Sequence, residues 1–304
     1  MALTSYIHIE MKQERVNMKN FFIQLGKAFC YVILFGGMQY IVSILAIVFS
    51  ALKVTAQIMA EGRQPTETEL MEGIFKFAVA NSNWLLVVAA IMTLFFAWVF
   101  FAIRKKKLLK EANVVPFSVN RVLPIVILAI ASVFVVECTF SLLPIPEEIM
   151  LEYEDSIMSL LEGSTLAILI STVFAAPIVE EIIFRGLVLS RLNKAMPVAA
   201  AVALSSIAFG LFHGQLLWIC YAAILGLVMC FVAIKCESVL ASILYHMVFN
   251  LLGGLPLVGY LVGDSMSSMV TVEVLSIAVC AVMIYWILRL SEREKEEKSK
   301  EPAD

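Results

Sequence analysis

Apolar residues dominate this sequence in long runs that short polar stretches separate. A helix needs about 20 apolar residues to cross the hydrocarbon core of a bilayer, and most of the runs approach or exceed that length. The runs cover residues 21–51, 83–103, 122–143, 164–190, 197–214, 216–234, 238–260 and 268–290. The pattern predicts an all-α, polytopic integral membrane helix bundle of about eight transmembrane helices.

Composition supports a membrane protein. Hydrophobic residues make up 61% of the chain and charged residues 15%, which is more apolar than a soluble core can accommodate. The formal net charge of -3 gives no reason to expect a nucleic acid partner, and the six cysteines form no disulfide or metal-binding pattern. The lipid bilayer is therefore the expected surrounding of most residues.

Charge placement predicts the orientation of the helices. Lysine and arginine are retained in short cytoplasmic loops, and six of them crowd the loop after the second run. They are Arg104, Lys105, Lys106, Lys107, Lys110 and Arg121. Residues 144–162 contain six acidic residues and no lysine or arginine, so this segment is expected to be a loop outside the cytoplasm. Eight crossings then put both termini in the cytoplasm, and we expect a plasma membrane protein.

The distribution of polar residues within the runs suggests four regions. Residues 1–163 are predicted to form N-terminal transmembrane helices without chemical motifs, and residues 164–265 a catalytic membrane core. Residues 266–290 supply the last transmembrane helix, and residues 291–304 a charged cytoplasmic tail.

Three charged residues interrupt the fourth apolar run. Glu180, Glu181 and Arg185 each cost about 2.5–3.5 kcal/mol at the centre of a bilayer, so their presence indicates a function. Glu181 and Arg185 lie four residues apart and can pair on one helix face. Glu180 points about 100° away from Glu181 and is left available for chemistry.

Two histidines also lie in apolar surroundings. His213 shares a helix face with Phe209, and Gly210 with Gly214 form a small-residue pair that favours close helix packing. His246 and Asn250 lie four residues apart on another face. Two imidazoles, a carboxamide and a pair of acids on neighbouring spans are hard to explain by packing alone.

These residue types suit the hydrolysis of an amide bond. Glu180 and His213 can orient and deprotonate a water molecule, while His246 and Asn250 can donate hydrogen bonds to the oxyanion. Alternatively, His213, His246 and Glu180 can bind one divalent metal such as Zn²⁺, with the second glutamate as the base. The residues alone leave both mechanisms open, so either no cofactor or one metal is expected.

The motifs Glu-Glu-x-x-x-Arg, Phe-x-x-x-His and His-x-x-x-Asn, in this order on successive spans, resemble those of the CPBP family. This family comprises CAAX proteases and bacteriocin-processing enzymes and includes the type II CAAX prenyl endopeptidase. The resemblance covers residues 166–252. It implies a helical intramembrane endopeptidase with a cavity open to the membrane or cytosol. It assigns water activation to Glu180 and His213, oxyanion stabilisation to His246 and Asn250, and support to Glu181 and Arg185.

The expected substrate is a membrane-associated peptide or protein, with or without a prenyl group. Two other functions fit the same residues. Buried Glu, His and Arg also act as proton relays, as in a proton-coupled secondary transporter. A non-catalytic member that binds a membrane peptide, as a bacteriocin-immunity or chaperone protein does, is the other alternative.

Overall fold

The fold is a helical bundle, seen in a computed structural model that describes residues 18–254, 260–263 and 265–300. Within these ranges there is no strand, and each of the eight apolar runs coincides with a helix. The nine main helices are α1 (Met18–Ala60), α2 (Glu67–Ile103), α3 (Val122–Leu142), α4 (Glu147–Leu160), α5 (Thr165–Leu192), α6 (Val198–Leu211), α7 (Leu216–Lys235), α8 (Val239–Gly253) and α9 (Met266–Lys300). The predicted class, a polytopic all-α membrane bundle, is confirmed.

Six of these helices are long and apolar enough to cross a membrane, while α6 and α8 are shorter apolar helices. Large hydrophobic side chains are exposed on the outside of the bundle, especially on α1, α2 and α9. A surface of this kind is stable against lipid and not against water. The molecule is therefore an integral membrane protein.

Helix α2 begins 16 residues before the apolar run that predicted it. Thr66 caps its first turn: the Thr66 hydroxyl accepts a hydrogen bond from the Glu69 amide, and the Glu69 carboxylate accepts one from the Thr66 amide. This reciprocal arrangement starts the helix independently of hydropathy. Glu67, Glu69, Glu72 and Lys76 interrupt the apolar pattern, so a search for apolar runs misses the first turns.

Helix α4 lies within the acidic segment that was expected to be a loop. It starts after Pro146 with Glu147 and Glu148 in its first turn, where carboxylates are favourable because the first turn exposes amide hydrogens. The Asn83 amide donates hydrogen bonds to the carbonyl groups of Leu160 and Glu162, which fixes the end of α4 against α2. None of its side chains is fully buried, so α4 lies across one end of the bundle.

The opposite end of the bundle holds the basic loops. Arg191 pairs with Glu111 at 3.1 Å, and Lys106 pairs with the same carboxylate at 2.9 Å. The hydrogen bond from Lys106, aided by Arg191, holds the pKa of Glu111 below its usual range. Buried Arg121 donates to the Lys235 carbonyl and pairs with Glu294 of α9. These contacts join loops that the sequence predicted to lie on one side of the membrane.

Two predicted segments near the C-terminus fall partly outside the described residues. Helix α8 ends at Gly253, and the end of the predicted 238–260 span includes residues 255–259, which are not described. The charged stretch after residue 290 continues α9 as far as Lys300. Residues 301–304 lie outside the described part of the chain.

Candidate active site

Helix α5 lies at the centre of the bundle and has an irregular backbone. Ile183, Phe184 and Leu187 are completely buried, and the Phe184 ring packs edge-on against Phe35 and Phe209. Wide π-type turns cover residues 169–175 and 182–188, on either side of the regular segment Ala176–Glu181. Insertions of this type often occur at functional sites because they change the direction of side chains.

Pro177 explains the position of the first wide turn. Proline has no amide hydrogen, so the regular hydrogen bond to the carbonyl four residues earlier cannot form. The Ala176 amide instead reaches back to the Ser171 carbonyl, five residues before it. The backbone before Pro177 is therefore a widened turn directly before the two glutamates.

Glu181 is the centre of a completely buried polar network. Its Oε1 accepts hydrogen bonds from Arg185 Nη1 at 2.8 Å and from His246 Nδ1 at 3.0 Å. The Arg185 guanidinium lies over the Phe209 ring, 4.2 Å from its centroid, and donates to the Gly226 carbonyl at 3.3 Å. The pair expected from the spacing of Glu181 and Arg185 is present.

The network fixes the orientation of His246. A carboxylate paired with arginine only accepts hydrogen bonds, so Nδ1 of His246 carries the hydrogen that it shares with Glu181. Nε2 of the same ring then points towards Glu180, with 3.8 Å between Nε2 and Oε2. This distance is too long for a direct hydrogen bond, so both atoms can bond to a third group between them.

Glu180 differs from its neighbour because it faces open space. Its side chain is 17% exposed, whereas that of Glu181 is 0% exposed. Together with His213, His246 and Asn250 it lines one cavity of about 340 Å³. The structure therefore brings the four residues expected to be catalytic to a single space.

His213 and Asn250 are each held by a backbone carbonyl. His213 Nδ1 donates to the Phe209 carbonyl at 3.2 Å, so Nε2 is left to accept a hydrogen bond, and the ring packs against Trp218. Asn250 Nδ2 donates to the Thr172 carbonyl at 2.8 Å. One amide hydrogen of Asn250 remains for another acceptor.

Only one glycine of the pair expected on α6 takes part in close helix packing. Gly210 does permit close packing, because a Cβ there would lie 2.7 Å from the Ile219 carbonyl oxygen. Gly214 has no heavy atom within 4 Å of a Cβ position and has a φ of +75°. Helix α6 ends at Leu211, so Gly214 forms the turn that follows His213 and takes no part in helix packing.

The aromatic wall of the cavity is absent from the sequence predictions. Phe140, Tyr153, Trp218 and Tyr221 line it and contact one another edge-on. A search for long apolar runs does not find Tyr153, because α4 lies in a segment that this search predicts to be a loop. A stripe of Ile149, Tyr153 and Ile157, spaced by four residues, is the signal that would have predicted an amphipathic helix here.

The metal alternative finds no support in this arrangement. In the described part of the chain, no group of three His, Cys, Asp or Glu side chains is arranged to hold a metal ion. Glu180, His213 and His246 line the same cavity but do not form such a group. We therefore derive no step through a metal.

Comparison with known families agrees with the resemblance seen in the motifs. Residues 162–252 match the family model described as "Type II CAAX prenyl endopeptidase Rce1-like". The match starts just before α5 and ends within α8, so it contains all three motifs. Comparisons with curated proteins and with solved structures found no match.

Proposed function

We propose that this protein is an intramembrane endopeptidase that hydrolyses a peptide bond of a membrane-associated peptide or protein. The observation that carries the proposal is the position of Glu180. Glu180 belongs to the segment that matches the Rce1-like family and faces the cavity, while Glu181 beside it bonds to Arg185 and His246.

The proposed reaction begins with a water molecule between Glu180 and His213. Glu180 removes a proton as the water oxygen attacks the carbonyl carbon, and His213 Nε2 accepts a hydrogen bond that orients the water. The carbonyl oxygen becomes an oxyanion. When the C–N bond breaks, the proton held by Glu180 passes to the leaving nitrogen, which restores the carboxylate.

Stabilisation of the oxyanion is assigned to His246 and Asn250. Asn250 has an unused amide hydrogen. In a His246 ring with a hydrogen on both nitrogens, Nδ1 donates to Glu181 and Nε2 can donate to the oxyanion. Arg185 balances the charge of Glu181 in turn. The buried network thus orients His246 without contacting the substrate.

The regions of the chain take the following roles in this proposal. Region 164–265 is the catalytic core, and the described residues of region 1–163 pack around it. Region 266–290 is the last transmembrane helix, and the described residues of region 291–304 extend beyond the membrane on the cytoplasmic side. The assignment is supported by the match to residues 162–252 and by the basic loops at one end of the bundle.

Cleavage by the purified protein tests the proposal. We expect the protein in detergent to cleave at least one member of a panel of prenylated and unprenylated peptides. General acid–base catalysis contributes about 10²–10⁴-fold, so Glu180→Gln is expected to lower kcat by a factor in this range. A tight chelator is expected to leave the rate unchanged.

The matched control is Glu273→Gln, since Glu273 is another half-buried glutamate and bonds to Thr139 away from the cavity. It is expected to cleave like the wild type. Equal rates for wild type and Glu180→Gln on every cleaved peptide, or no cleavage by the wild type at all, would contradict the proposed function. Substrate flux lost in Glu180→Gln without any cleavage would identify a transporter instead.

A further inference from the structure

The two ends of the bundle carry opposite charge. The end with the 104–121 loop also contains the turns at residues 191–197 and 235–238, and contacts between Arg191 and Glu111 and between Arg121 and the Lys235 carbonyl join them. The other end contains α4 with its five acidic residues and the turn between α1 and α2. We call these the basic end and the acidic end. Short basic loops stay in the cytoplasm, so the acidic end is extracytoplasmic.

The cavity lies towards the acidic end. Helix α6 starts at the basic end. The residues at and just beyond its other end, Phe209, Phe212 and His213, line the cavity. Helix α7 runs in the opposite direction and contributes Trp218 and Tyr221 from its first two turns. Helix α4 itself contributes lining residues. They are Tyr153, Ile157 and Leu160.

Exposure of the lining residues increases in the same direction. Val133, Met229 and Tyr245 lie deepest and are at most 1% exposed. Leu161, which follows α4, is 39% exposed, and Gly253 and Gly254 at the end of α8 are also exposed. The opening of the cavity is therefore at the acidic end.

The lengths of two helices explain why there is space at this end. Helix α6 has 14 residues and α8 has 15, which gives about 21 and 22 Å at 1.5 Å per residue. The hydrocarbon core is about 30 Å thick. Both helices start at the basic end, so they stop short of the far boundary, and the cavity with α4 above it occupies the remaining depth.

The basic end is closed. Beyond Glu181, α5 presents Leu187, Val188 and Leu192, which are at most 3% exposed, and the Arg185 side chain is 0% exposed. This packed segment of α5 lies between the cytoplasmic loops and Glu180.

We propose that the cavity opens on the extracytoplasmic side of the membrane. It follows that the substrate is a membrane-bound peptide whose scissile bond is presented at the outer leaflet, and not the C-terminus of a cytosolic protein. The inference about the substrate rests on the proposed peptidase function, whereas the sidedness of the cavity does not. This direction differs from the membrane or cytosolic opening that the family resemblance implied.

Thiol labelling tests the sidedness without a known substrate. The parent protein has Cys30, Cys220 and Cys280 replaced by alanine and keeps the three buried cysteines. Three single variants are made in it: Ser156→Cys on α4, Thr172→Cys in the cavity wall, and Lys107→Cys at the basic end. Each is treated in intact cells, and again after permeabilisation, with a small charged thiol reagent that does not cross membranes.

We expect Ser156→Cys and Thr172→Cys to be modified in intact cells to the same extent as after permeabilisation. Lys107→Cys is expected to react only after permeabilisation. Reaction of Lys107→Cys in intact cells would overturn the orientation. The position of the opening would be overturned if Thr172→Cys did not react at all, or reacted only after permeabilisation. The unmodified parent gives the background, and retention of its elution profile shows that each variant is folded.

These outcomes are separate from those of the cleavage assay. A protein that labels as expected but cleaves no peptide would refute the peptidase function and leave the sidedness intact. A protein that cleaves peptides but labels at Thr172→Cys only from the cytoplasmic side would refute the sidedness and leave the peptidase function intact.

Discussion

At the scale of single residues, two adjacent glutamates have different environments and therefore different roles. Glu181 is completely buried and bonds to Arg185 and His246, so its charge is fixed and compensated. Glu180 faces the cavity and lies 3.8 Å from His246 Nε2. One carboxylate maintains the network, and the other is available to a substrate or a water molecule.

Removal of the buried charge is expected to destabilise the fold. In Glu181→Gln, Arg185 stays buried without its counter-charge, and breaking a buried pair in this way costs about 3–5 kcal/mol. Chemical or thermal unfolding of the purified variant in detergent measures this loss. The control is Glu180→Gln, which makes the same change at the adjacent residue. We expect its free energy of unfolding to lie within about 1 kcal/mol of that of the wild type, because Glu180 has no ion pair within hydrogen-bond distance. Equal unfolding of the two variants would show that the network contributes little.

The sequence predicted those parts of the site that depend on spacing along one helix. The Glu181–Arg185 pair follows from a separation of four residues, and the common face of His246 and Asn250 does as well. The bond between Glu181 and His246 depends on how α5 packs against α8, so no pattern along the chain reveals it. The same holds for the acceptor of Asn250, which is a backbone carbonyl of α5.

At the scale of helices, hydropathy found the eight apolar runs but missed the elements that are short or amphipathic. Helix α4 has apolar residues on one face only, so its mean hydropathy is low although it covers the cavity. The wide turns of α5 were also missed. Their position depends on Pro177 and on local packing, and apolar runs give no signal for either.

Close approach of α6 to α7 is expected to depend on Gly210. A Cβ at this position would lie 2.7 Å from the Ile219 carbonyl oxygen and 2.9 Å from the Ala223 Cβ, so the helices must separate in Gly210→Ala. Overpacking of this kind costs about 1–3 kcal/mol, measured as the change in the free energy of unfolding. Gly37→Ala is the control, because no heavy atom lies within 4 Å of its Cβ position on α1. It is expected to be neutral or to stabilise the helix by up to about 1 kcal/mol. A similar loss in both variants would indicate a general effect of alanine and not a close contact.

At the scale of the whole molecule, the half of the chain without motifs completes the site. Phe35 of α1 is 2% exposed and packs edge-on against Phe184 and Phe212 of the matched segment. Asn83 of α2 accepts a hydrogen bond from Ser171 on α5 and donates to the end of α4. The segment that matches the family therefore depends on α1 and α2 for its packing.

This dependence predicts how a divided chain behaves. Residues 119–304 expressed alone would lose the packing of Phe35 against Phe184 and Phe212 and the hydrogen bonds of Asn83, and association of helices in a membrane depends on such packing and polar contacts. We expect this fragment to aggregate in detergent and to cleave no peptide. Residues 1–118 supplied as a second chain are expected to restore a monodisperse complex and the cleavage rate of the intact protein. The break then lies beside Val119, which is 77% exposed, after the short helix Leu108–Glu111. Size-exclusion chromatography and the peptide assay measure both properties. A fragment of residues 119–304 that is monodisperse and active without its partner would show that the catalytic core folds independently, and α1 and α2 would then be an appendage with no part in the site.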